Sequence, residues 1–174
     1  EDDLKLQLPE ASIKRMDLDT TRKKNAYENI INEFEDGEID ILIGTQMVTK
    51  GLDFANVSLV GVLNADSLLN FPDFRSHERA FQLMAQVAGR AGRKKQRGKV
   101  LIQTSEPYHS IIRKVMDNDY DTMYKDEIYE RKSFKYPPHF RLIKITFKHR
   151  DRAHLAASAN QLSKSLRTQF DTRV

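Results

Sequence analysis

The chain has 174 residues, with 39% apolar residues, seven glycines and 31% charged residues, against roughly 45–50% apolar plus glycine and about 25% charged in an average globular domain. It is too apolar and patterned to be disordered and polar for a self-contained domain, so the expectation is a piece of something larger. It has no cysteine, which excludes a disulfide framework, a cysteine zinc site and a thiol nucleophile, and no apolar run near the ~18 residues of a membrane span. The net charge of +4 divides unevenly, with twelve acids and six bases in residues 1–40 and a balance of +10 in the remainder, the sign that suits a polyanion.

Taken in order, Ser12 to Met16 reads as a short strand. Asp19-Thr20-Thr21 offers capping oxygens before a helix whose apolar residues Ala26, Tyr27, Ile30, Ile31 and Phe34 recur at helical spacing, and Asp36-Gly37 ends it. Ile39 to Thr45 is a nearly continuous apolar run, the pattern of a strand covered on both faces, and Val57 to Leu63 is a second one, ending in Asn64-Ala65-Asp66. After Phe71-Pro72-Asp73 comes a helix reaching Ala91, and Val100 to Gln103 gives a further strand. Alternating strands and helices predict an α/β fold with a mainly parallel sheet flanked by helices.

From Tyr108 the pattern is helical, with an interruption at Asp117-Asn118-Asp119, and Tyr136-Pro137-Pro138 must be extended or turning. Beyond it Ile143, Ile145 and Phe147 alternate with Lys144, Thr146 and Lys148, which predicts a half-buried strand. A helix from about Asp151 then places Leu155, Ala159, Leu162, Leu166 and Phe170 on one side. One strand and one helix cannot bury each other, so a truncated α+β domain is expected there. The expected division is 1–107 as an α/β lobe, 108–135 as a helical connector and 136–174 as the start of the C-terminal domain.

The stretch Gln86-Val87-Ala88-Gly89-Arg90-Ala91-Gly92-Arg93 carries the most chemistry. At 100° per residue, Arg79, Gln82, Gln86, Arg90 and Arg93 fall within an arc of roughly 80°, opposite the apolar residues. Guanidinium forks match phosphate oxygens, and glycines 89 and 92 let a ligand approach the backbone. An ordinary solvated basic face with Gly92 as the helix stop has the same pattern. A loop after the earlier strand, Gly44 to Phe54, places Thr45, Thr49 and Lys50 where phosphates could be met, Gly51 at a tight turn and Asp53 where it could accept a hydrogen bond; a plain polar loop would also read so. Asp66, on the same sheet edge, is either a further polar contact or a helix cap. The runs Arg90 to Lys99 and Arg131 to Arg152 hold six and eight bases. Phe134, Tyr136, Phe140 and Phe147 could stack on bases, although packing at a domain junction is the expected use.

Gly44-Thr45-Gln46-Met47-x-x-Lys50-Gly51-x-Asp53-Phe54, then Leu63-Asn64-Ala65-Asp66, then Gln86 to Arg93, resemble motifs V and VI of superfamily 2 helicases. With Arg15-Met16-Asp17-x-Asp19-Thr20-Thr21, Pro72-Asp73-Phe74-Arg75, Glu78-Arg79 and Tyr136-Pro137-Pro138, they are similar to the replication-restart DNA helicases of bacteria, the primosomal protein N′ family. The resemblance implies most of the second of two RecA-like lobes that clamp ATP and Mg²⁺ and move 3′ to 5′ on DNA, followed by the start of a C-terminal domain. It implies that Arg93 is an arginine finger, Arg90 a second phosphate contact and Gln86 a coupling residue. Gly51 and Asp53 would lie by the nucleotide, and Thr45, Gln46, Thr49 and Lys50 by the DNA. Implied partners are single-stranded and forked DNA, the first lobe of the same chain, single-strand-binding protein and other primosome proteins, in a cytoplasmic, nucleoid-associated setting without membrane.

Two features depart from the complete family pattern. The nearest approach to a Walker A loop, Gly92 to Gly98-Lys99, has one residue too many and Val100 where Ser or Thr would bind Mg²⁺, and the Walker B acids are not found. The chain is therefore expected not to hydrolyse ATP by itself. Zinc, held by cysteines in the complete family member, is not expected here, and the five histidines show no metal-binding spacing. The alternatives are a nucleic-acid-binding module without enzymatic activity, using Lys94, Lys95, Arg97, Lys99 and the cluster around Arg141, and a translocase of the branch-migration type.

Overall fold

The computed structural model describes residues 1–17, 25–45, 57–89 and 98–170. Its chain divides into two compact units, Glu1–Phe134 and Lys135–Val174. The first opens with α1 (Asp2–Gln7), a short helix not foreseen from the apolar pattern because none of its residues is buried. Its two acids lie in the first turn, favourable against the positive end of the helix dipole.

Strand β1 (Ile13–Met16) pairs in parallel with β2 (Ile41–Gly44), Ile13 opposite Ile41 and Met16 opposite Gly44. Parallel pairing requires a crossover, and α2 (Ala26–Glu35) lies between the strands in sequence. Its Ile31 is buried with Met16, and Tyr27, Ile30, Phe34, Leu42 and Val57 pack around them. The expected caps Asp19 to Thr21 lie outside the described residues; Asn25, with φ +66°, stands at the helix start. Gly37 follows the helix with φ +81°, and since a Cβ there would meet open space, backbone conformation alone favours glycine. Ser12 pins the strand starts together: its N–H donates to Asp40 Oδ2 at 2.8 Å, and its carbonyl accepts from the N–H groups of Asp40 and Ile41 at 2.9 and 3.1 Å.

A second parallel pair joins β3 (Leu59–Val62) to β4 (Lys99–Ile102), with Leu59 opposite Lys99 and Val62 opposite Ile102. Short α3 (Asp66–Leu69) and longer α4 (Ser76–Ala88) come between them in sequence. Val62 and Ile102 pack against the main core, formed by Ala65, Leu69, Ala80, Phe81, Met84, Ile111, Ile112, Val115 and Met123. Leu59 and Leu101, one step off that face, are 53% and 61% exposed. The expectation that the strands at Ile39 to Thr45 and Val57 to Leu63 would be covered on both faces is thus corrected: β3 alternates, and Ile41 to Ile43 are only half-buried. Among the described residues the strands form two separate two-stranded ladders, each parallel, in an α/β arrangement.

Helices α5 (Ser110–Asp117) and α6 (Tyr120–Ser133) supply the core with Ile111, Ile112, Val115 and Met123. The interruption between them falls where expected. Asn118 takes φ +52°, and Asp119 starts α6 by accepting from the Thr122 N–H at 3.0 Å; the Thr122 side chain first, and then this N–H, lower the pKa of the Asp119 carboxyl.

In the second unit, α7 (Arg152–Phe170) begins where Asp151 Oδ1 accepts from the Ala153 and His154 N–H groups at 2.8 and 3.3 Å. Leu155, Ala159, Leu162 and Leu166 form its half-buried stripe. The strand expected over Ile143 to Phe147 does not form: residues 141–149 carry no ladder, and Ile143 is 85% exposed. Period-two alternation describes a face that a sheet could bury. It cannot supply the neighbouring strand whose N–H and C=O groups make it a strand.

Candidate nucleotide and nucleic-acid site

Helix α4 has two faces, as its spacing requires. Ala80, Phe81 and Met84 are buried on one side, while Arg79, Gln82 and Gln86 are exposed on the other. Gln86 is in the last turn of α4, leading towards Arg90 and Arg93, which lie outside the described residues. Thr45 is exposed immediately after β2, at the C-terminal end of that strand, and Gln46, Thr49, Lys50, Gly51 and Asp53 also lie outside the described residues. The structure therefore locates Gln86 and Thr45 and leaves the other candidates to the sequence reading.

The start of α4 is held by charge. Asp73 Oδ1 accepts from the Arg75 N–H at 2.8 Å, the main cause of the lowered pKa of its carboxyl, and Oδ2 accepts from Arg79 Nη1 at 3.0 Å. Arg79 is thus engaged within its own helix start, while it remains exposed. Glu78 Oε2 accepts from Arg75 Nε at 3.0 Å and from Arg131 Nη2 of α6 at 2.6 Å, and Gln82 Nε2 donates to Oε1 at 3.3 Å. Chiefly through Arg75, and then Arg131, these donors hold the Glu78 pKa at about 2 despite partial burial. Arg131 also approaches Glu127 Oε2 at 3.4 Å, and its Cζ lies 5.4 Å from the centroid of the Phe74 ring.

Beside this network His77 Nδ1 stands 3.6 Å from Glu127 Oε1, a carboxylate only 7% exposed, which raises the pKa of the imidazole. The ring of His109 meets that of His77 edge-on at 5.4 Å, and burial, followed by the charge of His77, lowers its pKa. The His109 Nδ1 atom accepts from the Ile111 N–H at 3.2 Å and caps α5. The sequence pattern gives Glu127 no role and shows Arg131 only as the start of a basic run. Their spacing of four on one helix signals an intrahelical pair, but gives no hint of partners some fifty residues earlier.

Asp66 does not cap α3. Its oxygens accept from Thr104 Oγ1 at 2.5 Å, Ser105 Oγ at 2.6 Å and the Ser105 N–H at 2.9 Å, and these donors, Ser105 first, lower its pKa. It latches the segment after β3 to the segment after β4. The Ala65 N–H donating to the Gln103 carbonyl at 2.9 Å and the Asn64 N–H donating to Gln103 Oε1 at 3.1 Å complete the join.

Residues 2–95 match the helicase conserved C-terminal domain. The chain belongs to this helicase family. It is 46% identical over its whole length to the replication restart protein PriA of Bacillus subtilis, of which it covers 22%. It is also 48% identical over 79% of its length to that of Synechocystis and 47% identical over 80% to that of Chlamydia trachomatis, covering 16% and 18% of those proteins. The chain thus spans about a fifth of the length of these relatives, and the resemblance carried by its motifs extends beyond the motifs themselves. In the helicase C-terminal domain, α4 is the element that leads into the Arg90–Arg93 stretch, and its charged start is built from the Asp73-Phe74-Arg75 and Glu78-Arg79 landmarks.

Elsewhere the basic candidates separate. Lys94, Lys95 and Arg97 lie outside the described residues, whereas Lys99, Arg141, Lys144, Lys148 and Arg150 are exposed. Phe134, Phe140 and Phe147 were expected to pack at a junction, but they are exposed, Phe134 by 70%. For Phe140 and Phe147, the second unit offers no buried residue within residues 135–149. Among the described residues, no helix is long and apolar enough to cross a membrane.

Proposed function

We propose that the chain is the greater part of the second lobe of an ATP-dependent DNA helicase that reloads the replication machinery at forks, moving 3′ to 5′, together with the start of a C-terminal domain. Similarity along the whole chain to a replication restart protein carries this reading. The complete protein binds ATP and Mg²⁺ between two lobes, and this lobe presents Gly51, Asp53, Arg90 and Arg93 to the nucleotide. Thr45, Gln46, Thr49 and Lys50 track the DNA backbone, and Gln86 couples the two. The Arg93 guanidinium stabilises charge spread over the transferring phosphoryl group, a contribution of roughly 10³–10⁵ in rate. Partners are single-stranded and forked DNA, the first lobe, single-strand-binding protein and primosome proteins, in the cytoplasm at the nucleoid. Without Walker A and B residues, the 174-residue chain alone hydrolyses no ATP.

Support comes from α4, whose apolar side is anchored in the core while its polar side, with Gln86, stays exposed. The test is Arg93→Ala in the complete protein. DNA-stimulated ATPase should fall by at least roughly 10³-fold with DNA affinity close to wild type. Unchanged ATPase would favour the second reading, a non-enzymatic nucleic-acid module, which the exposed Arg141, Lys144, Lys148 and Arg150 also suit.

A further inference from the structure

We infer that His77 of α4 and Glu127 and Glu130 of α6 form a binding site for a divalent transition-metal ion of the zinc type, bridging the two helices. One ligand atom from each of the three residues lies within 4.8 Å of the others. His77 Nδ1 and Glu127 Oε1 are 3.6 Å apart, close to the ~3.3–3.4 Å between neighbouring donors of a tetrahedron with bonds of about 2.0–2.1 Å. Glu130 follows Glu127 at i+3, so both carboxylates lie on one side of α6. A single imidazole with two carboxylates is a mixed nitrogen and oxygen set that suits Zn²⁺; Mg²⁺ would favour oxygen alone.

Two further observations point to a cation. All three side chains line one cavity of about 240 Å³, which leaves room for water to complete the coordination. Among the described residues, the charge compensation of the buried Glu127 carboxylate comes from longer range: Arg131 Nη2 stands 3.4 Å from its Oε2 but 2.6 Å from Glu78, and His77 Nδ1 stands 3.6 Å from Oε1. A metal ion on Oε1 would complete that compensation without displacing Arg131 from Oε2. Lys114 also lines the cavity, but its ammonium is drawn to Asp126 at 2.5 Å. The site involves neither nucleotide nor DNA residues, so it stands apart from the helicase reading.

The experiment is calorimetric titration of the metal-free 174-residue chain with ZnCl₂, with MgCl₂ as the comparison ion. One saturable zinc site is expected, with affinity at least about tenfold weaker in both His77→Ala and Glu130→Gln. Circular dichroism shows whether each variant is folded, and Glu130→Gln, an isosteric change at an exposed residue, keeps the test valid should His77→Ala unfold. His154→Ala removes the other paired imidazole, whose ring centroid lies 4.7 Å from that of His149, and should leave zinc binding unchanged. Absence of saturable binding up to about 1 mM zinc, equal affinity in folded Glu130→Gln, or loss of binding in His154→Ala would each overturn the assignment.

Discussion

Arg131 Nη2 lies 2.6 Å from Glu78 Oε2 and ties α6 to the start of α4. Both side chains are largely buried, at 14% and 20% exposed, so the pair sits where removal of one partner leaves charge poorly solvated. Arg131→Ala should cost about 2–4 kcal/mol in urea unfolding, lessened because Glu78 retains Arg75. A double-mutant cycle with Glu78→Gln should return a coupling energy of roughly 1–3 kcal/mol. Coupling near zero would reduce this contact to packing of the Arg131 stem.

Acid should weaken the same junction. Glu78 has a folded pKa of about 2, below the ordinary carboxylate value, so its contribution is complete above the unfolded pKa and is lost as pH falls through the folded one. The window runs from about pH 4.5 down to about 2. Allowing for solvent screening, the loss is about 1–2 kcal/mol, measured as the difference in pH dependence between wild type and Glu78→Gln.

His77 and His109 should titrate in opposite directions from an ordinary imidazole, His77 above and His109 below. The stabilisation from His77 is complete below the unfolded pKa and disappears as pH rises through its higher folded value. For His109 the contribution is complete above the unfolded pKa and disappears as pH falls through its lower folded value. Proton NMR titration of the two rings in EDTA distinguishes them, and Glu127→Gln should bring His77 back towards the ordinary range.

Met84 is fully buried on the core side of α4, so Met84→Ala should cost about 2–5 kcal/mol, while truncation of exposed Gln82 should change stability little. Chemical denaturation of the two variants measures the contrast between the helix faces.

Asp66→Ala removes the acceptor for three donors from Thr104 and Ser105. The Ser105 amide should then exchange with solvent faster, as seen by hydrogen exchange, while amides in α5 and α6 keep their protection. Equal protection of Ser105 in the variant would mean that the β3–β4 ladder alone holds the segment.

If the second unit touches DNA through its exposed bases, replacing Lys144 and Lys148 together with glutamine should flatten the log–log salt dependence of single-strand binding by about 1.4. An unchanged slope would remove both lysines from the phosphate contacts.

By itself, the order of apolar and polar residues determined the alternation of strands and helices, the two-faced character of α4 and the break at Asn118. These depend on local periodicity, capping and backbone preference, all of which act within a few residues. The motif wording from Gly44 to Arg93 likewise pointed to the helicase family before any geometry. Tertiary structure decided what periodicity cannot express. Residues 143–147 alternate like a strand yet pair with none of the described residues, because a ladder needs a second backbone. Asp66 could be read as a polar contact or a cap, and the structure makes it a latch, since its donors follow β4, almost forty residues later. His77 had no metal-binding neighbour in sequence and met Glu127 and Glu130 only when α6 packed beside α4. Such pairings depend on which distant surfaces the core brings together, and burial then makes a chance proximity of charges energetically consequential.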